Sequence, residues 1–162
     1  MAQGQTTGDR PTTQPEEAPI KPPLPKLLYR ILNPLLVAVL RSRFHSRISG
    51  SLMALTFRGR KSGKQYRIPV GYLQQGNRIF VYSHSAWSKN FRGGAPVSVR
   101  VRGQELRGAA SIMEDPAEIA PVVAAMVAKN GEAMARRMGV LGETPDSPRR
   151  GTVFVQIDLE GV

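Results

Sequence analysis

Met53-Ala54-Leu55-Thr56-Phe57-Arg58, then Gly59-Arg60-Lys61-Ser62-Gly63-Lys64, then Gln65-Tyr66-Arg67-Ile68-Pro69-Val70-Gly71-Tyr72, is the stretch whose reading decides the fold. Its outer parts are rich in β-branched and aromatic side chains and its middle is a short run of glycines and cations. It therefore reads as strand, turn, strand. From Arg58 to Lys64 the turn gathers four cations, a hydroxyl and two glycines into seven residues. Binding a phosphate needs charge, directed N–H groups and close approach of the backbone, and this segment offers all three. It is not a Walker loop, because the glycine spacing differs and no helix follows. A soluble basic hairpin tip accounts for the same composition equally well. In the second strand Pro69 cannot donate to a ladder and Gly71 leaves room for another group, which suits either a planar ring lying against backbone or an edge strand blunted by proline.

Outward from this stretch, most of the chain reads as short strands bounded by glycine-containing turns. The expected strands are Met53 to Arg58, Tyr66 to Leu73, Arg78 to Ser83, Val97 to Arg102, Glu105 to Met113 and Thr152 to Leu159. Val97 to Arg102 and Val153 to Asp158 alternate cleanly, so each presents one face to a core. Gln75-Gly76-Asn77 and Arg102-Gly103-Gln104 have hairpin length and favour antiparallel neighbours. One helix is signalled by Asp115 as cap, Pro116 at the first position and Glu118 in a capping box. Its apolar stripe of Ile119, Val122, Val123, Met126 and Val127 is expected to cover an open end of the sheet. A second helical piece spans Glu132 to Met138. Before the strands, Leu27, Leu28, Ile31, Leu32, Leu35, Leu36, Val39 and Leu40 recur at helical spacing, which predicts a basic amphipathic helix over 26–44, bent at Asn33-Pro34. Residues 1–25, rich in Pro, Thr and Gln, read as a flexible tail. The fold class is mainly β, within α+β: about six antiparallel strands, an N-terminal amphipathic helix and one or two covering helices, in one domain over 26–162.

The chain has 162 residues and a formal charge of +11, and its charge is concentrated. Residues 26–107 hold sixteen lysines and arginines against one acid, Glu105. Such a field attracts phosphorylated cofactors, polyanions or anionic lipid without choosing among them. Cysteine is absent, which removes disulfides, thiolate nucleophiles and Cys-based metal sites, and two histidines are too few for a His-rich metal site. No metal is expected. No Gly-x-Ser-x-Gly elbow and no close pair of acids in the strand region supports hydrolysis. Specific nucleic-acid binding has no interleaved aromatic platform or recognition helix behind it. Without a secretory signal or an apolar run near membrane-spanning length, a cytoplasmic protein is expected, with helix 26–44 suited to peripheral contact with an anionic membrane.

A second constellation, Tyr82-Ser83-His84-Ser85-Ala86-Trp87-Ser88-Lys89-Asn90, follows a strand end and holds the only tryptophan. His84 there suits a phosphate contact or proton donation, or an ordinary surface hydrogen bond.

The order of these segments resembles the deazaflavin (F-420)-dependent nitroreductases of the flavin reductase-like split β-barrel superfamily. The likeness is carried by Leu55 to Lys64, by Pro69-Val70-Gly71-Tyr72, by Ser83-His84, and by Trp87 to Pro96 entering a valine strand. It implies a split β-barrel and a deazaflavin F-420 cofactor, with FMN as the alternative in relatives of the same barrel. By position, Arg60, Lys61, Ser62, Tyr66 and Arg67 would serve the cofactor's phosphate and side chain. Pro69, Val70 and Gly71 would line its ring, with Ser83 and His84 beside them, and Trp87 and Asn90 complete the set. The implied activity is hydride transfer to an electron-poor acceptor such as a quinone, an enone or a nitro compound. A proton would come from solvent, or from Tyr72, Tyr82 or His84 as side-chain candidates. A homodimer is implied by the resemblance, and a non-catalytic lipid or cofactor carrier is the rival reading.

Overall fold

The computed structural model describes residues 50–142 and 148–161. The expected tail 1–25 and amphipathic helix 26–44 lie outside the described residues, as does part of the loop before Arg150. Seven strands form one antiparallel sheet: β1 (Leu52–Arg58), β2 (Gln65–Gly71), β3 (Leu73–Gln75), β4 (Arg78–Ser83), β5 (Ala95–Val101), β6 (Gln104–Met113) and β7 (Val153–Leu159). Their order is β2-β1-β5-β6-β7-β4-β3. The two strands at the ends of that order, β2 and β3, are consecutive in the chain and joined by a single residue, Tyr72. The sheet must therefore curl until its ends approach, which makes it a barrel. The expected strand from Tyr66 to Leu73 is thus two strands meeting at a corner, where the amide of Tyr72 donates to the carbonyl of Ser51 at 3.3 Å.

Alternation decides what each face does. Met53, Leu55 and Phe57 of β1, Val97, Val99 and Val101 of β5, Ile79 and Val81 of β4, and Val155 and Ile157 of β7 point inward and form the barrel core. On β4 and β7 the intervening Phe80 and Phe154 are buried as well, because a second layer covers the outer face there. That layer is helix α1 (Pro116–Asn130) with the short helix α2 (Glu132–Arg137). Val122, Val123 and Met126 of α1 pack with Leu73, Phe80, Met113 and Phe154, so the helical stripe covers a face of the sheet rather than an open end.

The local devices behave as their chemistry requires. The Asp115 carboxylate accepts from the amide of Ala117 at 2.8 Å and Pro116 opens α1, while Gly131 ends it with φ 82° and donates to the carbonyl of Val127 at 2.7 Å. The β5–β6 hairpin has a two-residue loop, Arg102-Gly103, with φ 47° and 83°, the double positive φ of a type I′ turn. β2 is at one end of the sheet order, where Pro69, opposite Ala54, leaves its missing donor on the unpaired side. No helix among the described residues is long and apolar enough to cross a membrane.

Candidate cofactor site

The β1–β2 turn is built by two backbone hydrogen bonds: the Gly59 amide donates to the Lys64 carbonyl, and the Gly63 amide to the Gly59 carbonyl, both at 2.8 Å. The Lys64 amide donates to Ser62 Oγ at 3.3 Å. Among the described residues the amides of Lys61 and Ser62 have no partner, so both are available as donors at the tip. The Arg60 amide is taken: it donates to Asn90 Oδ1 at 2.9 Å, thirty residues along the chain. Asn90 belongs to a 3-10 helix, Ala86–Phe91, held down by the buried Ser88 and Phe91. Its Nδ2 donates to the carbonyl of Trp87 at 2.8 Å.

Between turn and 3-10 helix lies an open cleft of about 640 Å³, lined by Phe57, Gly59, Arg60, Lys61, Ser62, Tyr66, Ala86, Trp87, Lys89, Asn90 and Arg92. Four cations and no acid line it. Its apolar wall is an aromatic cluster: Phe57 stacks on Tyr66 at 5.6 Å between centroids, and meets Trp87 at 6.0 Å and the edge of Phe91 at 5.2 Å. The Tyr66 hydroxyl lies 3.3 Å from Ser62 Oγ. The closeness of the backbone is measurable at Gly59, where a Cβ would come 2.5 Å from Ser62 Oγ and 2.7 Å from Tyr66 Cε2. A volume in the range of small-molecule sites, an aromatic wall, and cations on both the turn and the 3-10 helix with free amides at the turn fit an anionic molecule that carries a planar ring.

Of the residues singled out in the sequence, the cleft brings together Arg60, Lys61, Ser62, Tyr66, Trp87 and Asn90. Arg67 is on the other face of β2, its Nε donating to Thr56 Oγ1 at 3.1 Å. Pro69, Val70 and Gly71 lie farther along β2, with Val70 in the barrel core. Ser83 is buried and its Oγ accepts the amide of Ser85 at 2.9 Å. His84 lines a second cavity of about 320 Å³ behind the 3-10 helix, together with Lys89, Arg92 and Glu114. Its Nδ1 lies 3.5 Å from Thr152 Oγ1 and its ring packs on Gly139. Tyr72 and Tyr82 meet at a small pocket under α1, beside Lys129. There Lys129 Nζ donates to the carbonyls of Gly50 and Tyr72 at 3.0 Å each. Burial raises the Tyr82 phenol above its ordinary value, and burial, with Arg102 adding repulsion, lowers the Lys129 ammonium.

The cleft also recruits Phe57, Gly59, Ala86, Lys89 and Arg92, which lie in the quoted motifs but are not among the expected cofactor-binding residues. Lys89 and Arg92 flank Asn90, and that cationic pair beside the tryptophan was a usable signal. Among the described residues no group of His, Cys, Asp and Glu could hold a metal ion.

An antiparallel sheet in this strand order, curled so that its end strands meet at Tyr72, defines a split β-barrel. Residues 38–143, more than half the chain, match the family model described as F420H(2)-dependent quinone reductase, and the chain belongs to that family. A search of curated proteins gave no match. Solved structures with the same architecture include the heme storage protein HutZ of Vibrio cholerae, at 16% identity and TM-score 0.50 over 80% of this chain and 90% of that one. A protein of unknown function from Agrobacterium tumefaciens aligns at 17% identity and TM-score 0.51, over 76% of this chain and 57% of that one. A pyridoxamine 5′-phosphate oxidase-related, FMN-binding protein of Nostoc punctiforme aligns at 13% identity and TM-score 0.50, over 78% and 79%. At these identities the likeness shows the fold.

Proposed function

We propose that the chain is a reductase that binds reduced deazaflavin F-420 in the Gly59–Arg92 cleft and passes its electrons to an electron-poor acceptor, a quinone before an enone or nitro compound. The observation that carries the reading is the pairing of four unopposed cations with an aromatic wall in one cleft of a chain from the F420H(2)-dependent quinone reductase family. Arg60 and Lys61, with the amides of Lys61 and Ser62, would hold the cofactor's phosphate. Trp87, Phe57 and Tyr66 would flank its apolar part. When bound, the deazaflavin would supply a hydride, which together with one proton from solvent converts a quinone to a hydroquinone.

The chain's own work is to bind, orient and exclude water. Arg60 and Lys61 on the turn, with Lys89 and Arg92 from the 3-10 helix and the residue after it, give an anionic ligand counter-charge from two elements at once. The ring cluster of Phe57, Tyr66 and Trp87 dries the opposite wall and limits the freedom of a planar group. Tyr72, Tyr82 and His84 do not line this cleft, so proton delivery through the solvent that fills its open mouth is the simpler route. A homodimer, a cytoplasmic location and membrane contact through residues 26–44 belong to the same proposal, and sedimentation and liposome flotation test the first and the last.

The deciding experiment is a side-by-side titration of apoprotein with F-420 and FMN, followed by oxidation of the reduced coenzyme by menadione. Tighter binding of F-420 and protein-dependent turnover are expected. Tighter binding of FMN with turnover would transfer the activity to the flavin. Absence of binding to both, or an acyl chain co-purifying in the cleft, would remove the reading in favour of a carrier.

A further inference from the structure

Among the side chains that line the cleft, Asn90 is unusual in using both ends of its carboxamide within the protein. Oδ1 accepts from the Arg60 amide at 2.9 Å, and Nδ2 donates to the Trp87 carbonyl at 2.8 Å. The two bonds define the orientation of the amide, since a flip would set an NH₂ group against an N–H and an oxygen against a carbonyl. One partner is Arg60, the second residue of the anion turn, whose own bonds close only within Gly59–Lys64. The other carries the indole that faces Phe57 across the wall. Asn90 itself stands between the buried Ser88 and Phe91, so its backbone is anchored in the barrel.

We infer that Asn90 is a positioning residue that couples the anion turn to the tryptophan wall: one carboxamide sets the distance between them, so an anion gripped at the turn is registered at Trp87. The inference rests on the proposed cofactor reading for the identity of the anion, but the coupling itself is a property of the ligand-free chain. Two consequences follow from the geometry. The Arg60 amide, being occupied, does not contact the ligand, and the main-chain donors left to an anion are those of Lys61 and Ser62. Because Asn90 is uncharged, its removal should weaken binding without changing how many cations the ligand meets, so the salt dependence of affinity should keep its slope while the affinity falls.

Two substitutions separate the bonds. Asn90→Ala loses both, whereas Asn90→Asp, of the same shape, keeps the acceptor for the Arg60 amide and loses the donor to Trp87. In ligand-free protein, amide hydrogen exchange at Arg60 should quicken in Asn90→Ala and stay slow in Asn90→Asp. Acrylamide quenching of Trp87, the only tryptophan, should increase in both. Titrated with F-420, Asn90→Ala should bind about tenfold more weakly, the scale of two lost hydrogen bonds, at an unchanged salt slope. A bound anion should shift Trp87 fluorescence in the wild type and not in Asn90→Ala. The inference is overturned if folded Asn90→Ala keeps its Arg60 protection, or keeps wild-type affinity and an intact fluorescence response. Should Asn90→Ala fail to fold, the Asp variant decides: quick exchange at Arg60, or unchanged Trp87 quenching, sinks the coupling. If wild type binds neither F-420 nor FMN, the cofactor reading fails by itself, and the exchange and quenching arms still judge Asn90.

Discussion

Gly59 occupies a point in the cleft where a methyl group has no room, and the groups in its way are side-chain ends rather than backbone. Its φ is not positive, so alanine is compatible with the chain path. Gly59→Ala should therefore fold, at a cost of about 1–3 kcal/mol from overpacking. It should displace Ser62 and tilt Tyr66 off Phe57, so F-420 affinity should fall more than stability does, as read by parallel titration and thermal melting. Tyr82 gives a different residue-scale expectation. Burial beneath α1 raises its phenol above the ordinary 10.0, so between that value and the folded one the unfolded chain ionises while the folded chain keeps its proton. The folded state then binds more protons, and stability falls as pH rises through this window. Tyr82→Phe should flatten that alkaline loss in pH-dependent denaturant melts, and phenolate absorbance should show one tyrosine titrating late. At this scale the sequence was legible where chemistry is local: Arg60, Lys61 and Ser62 share a turn. It also held a warning about Arg67, since neighbours on a strand face opposite ways and Tyr66 already occupies the cleft side.

Elements were read correctly where one face or one cap defines them. β4 runs from Arg78 to Ser83 as expected, β6 and β7 differ from expectation by one residue at their starts, and α1 begins at Pro116 behind its Asp115 cap. The Tyr66–Leu73 expectation failed to see a corner, because Gly71 reads as leaving room for another group, whereas it directly precedes Tyr72, where the chain leaves one strand for another. Pairing between elements makes a sharper prediction at Gly108. This residue of β6 lies opposite Leu159 of β7, and a Cβ there would meet the carbonyl oxygen of Asp158. Backbone cannot step aside as a side chain can. Gly108→Ala should thus force β6 and β7 apart and cost about 2–3 kcal/mol in chemical denaturation, with little change in ligand affinity per folded molecule.

Across the whole molecule, the last strand is placed in the interior of the sheet. β7 pairs with β6 on one side and β4 on the other, and contributes Val155 and Ile157 to the barrel core and Phe154 to the layer beneath α1. A chain ending at Arg150 should show no cooperative thermal transition, because it leaves two ladders open and two cores unfilled. A sharp melt of that truncated chain would mean that the sheet closes without β7. Read without its fold, the chain yields short-range facts, namely alternating strands, a capped helix and a cationic turn, which depend on residues a few positions apart, together with the order of segments that carries the family resemblance. The folded molecule alone reveals that the sheet turns a corner at Tyr72, that Asn90 reaches Arg60, and that Lys89 and Arg92 join the cations of the turn. Those outcomes depend on which strands lie side by side, and strand order is selected by burying two cores at once, a condition on the whole chain that no local window of residues expresses.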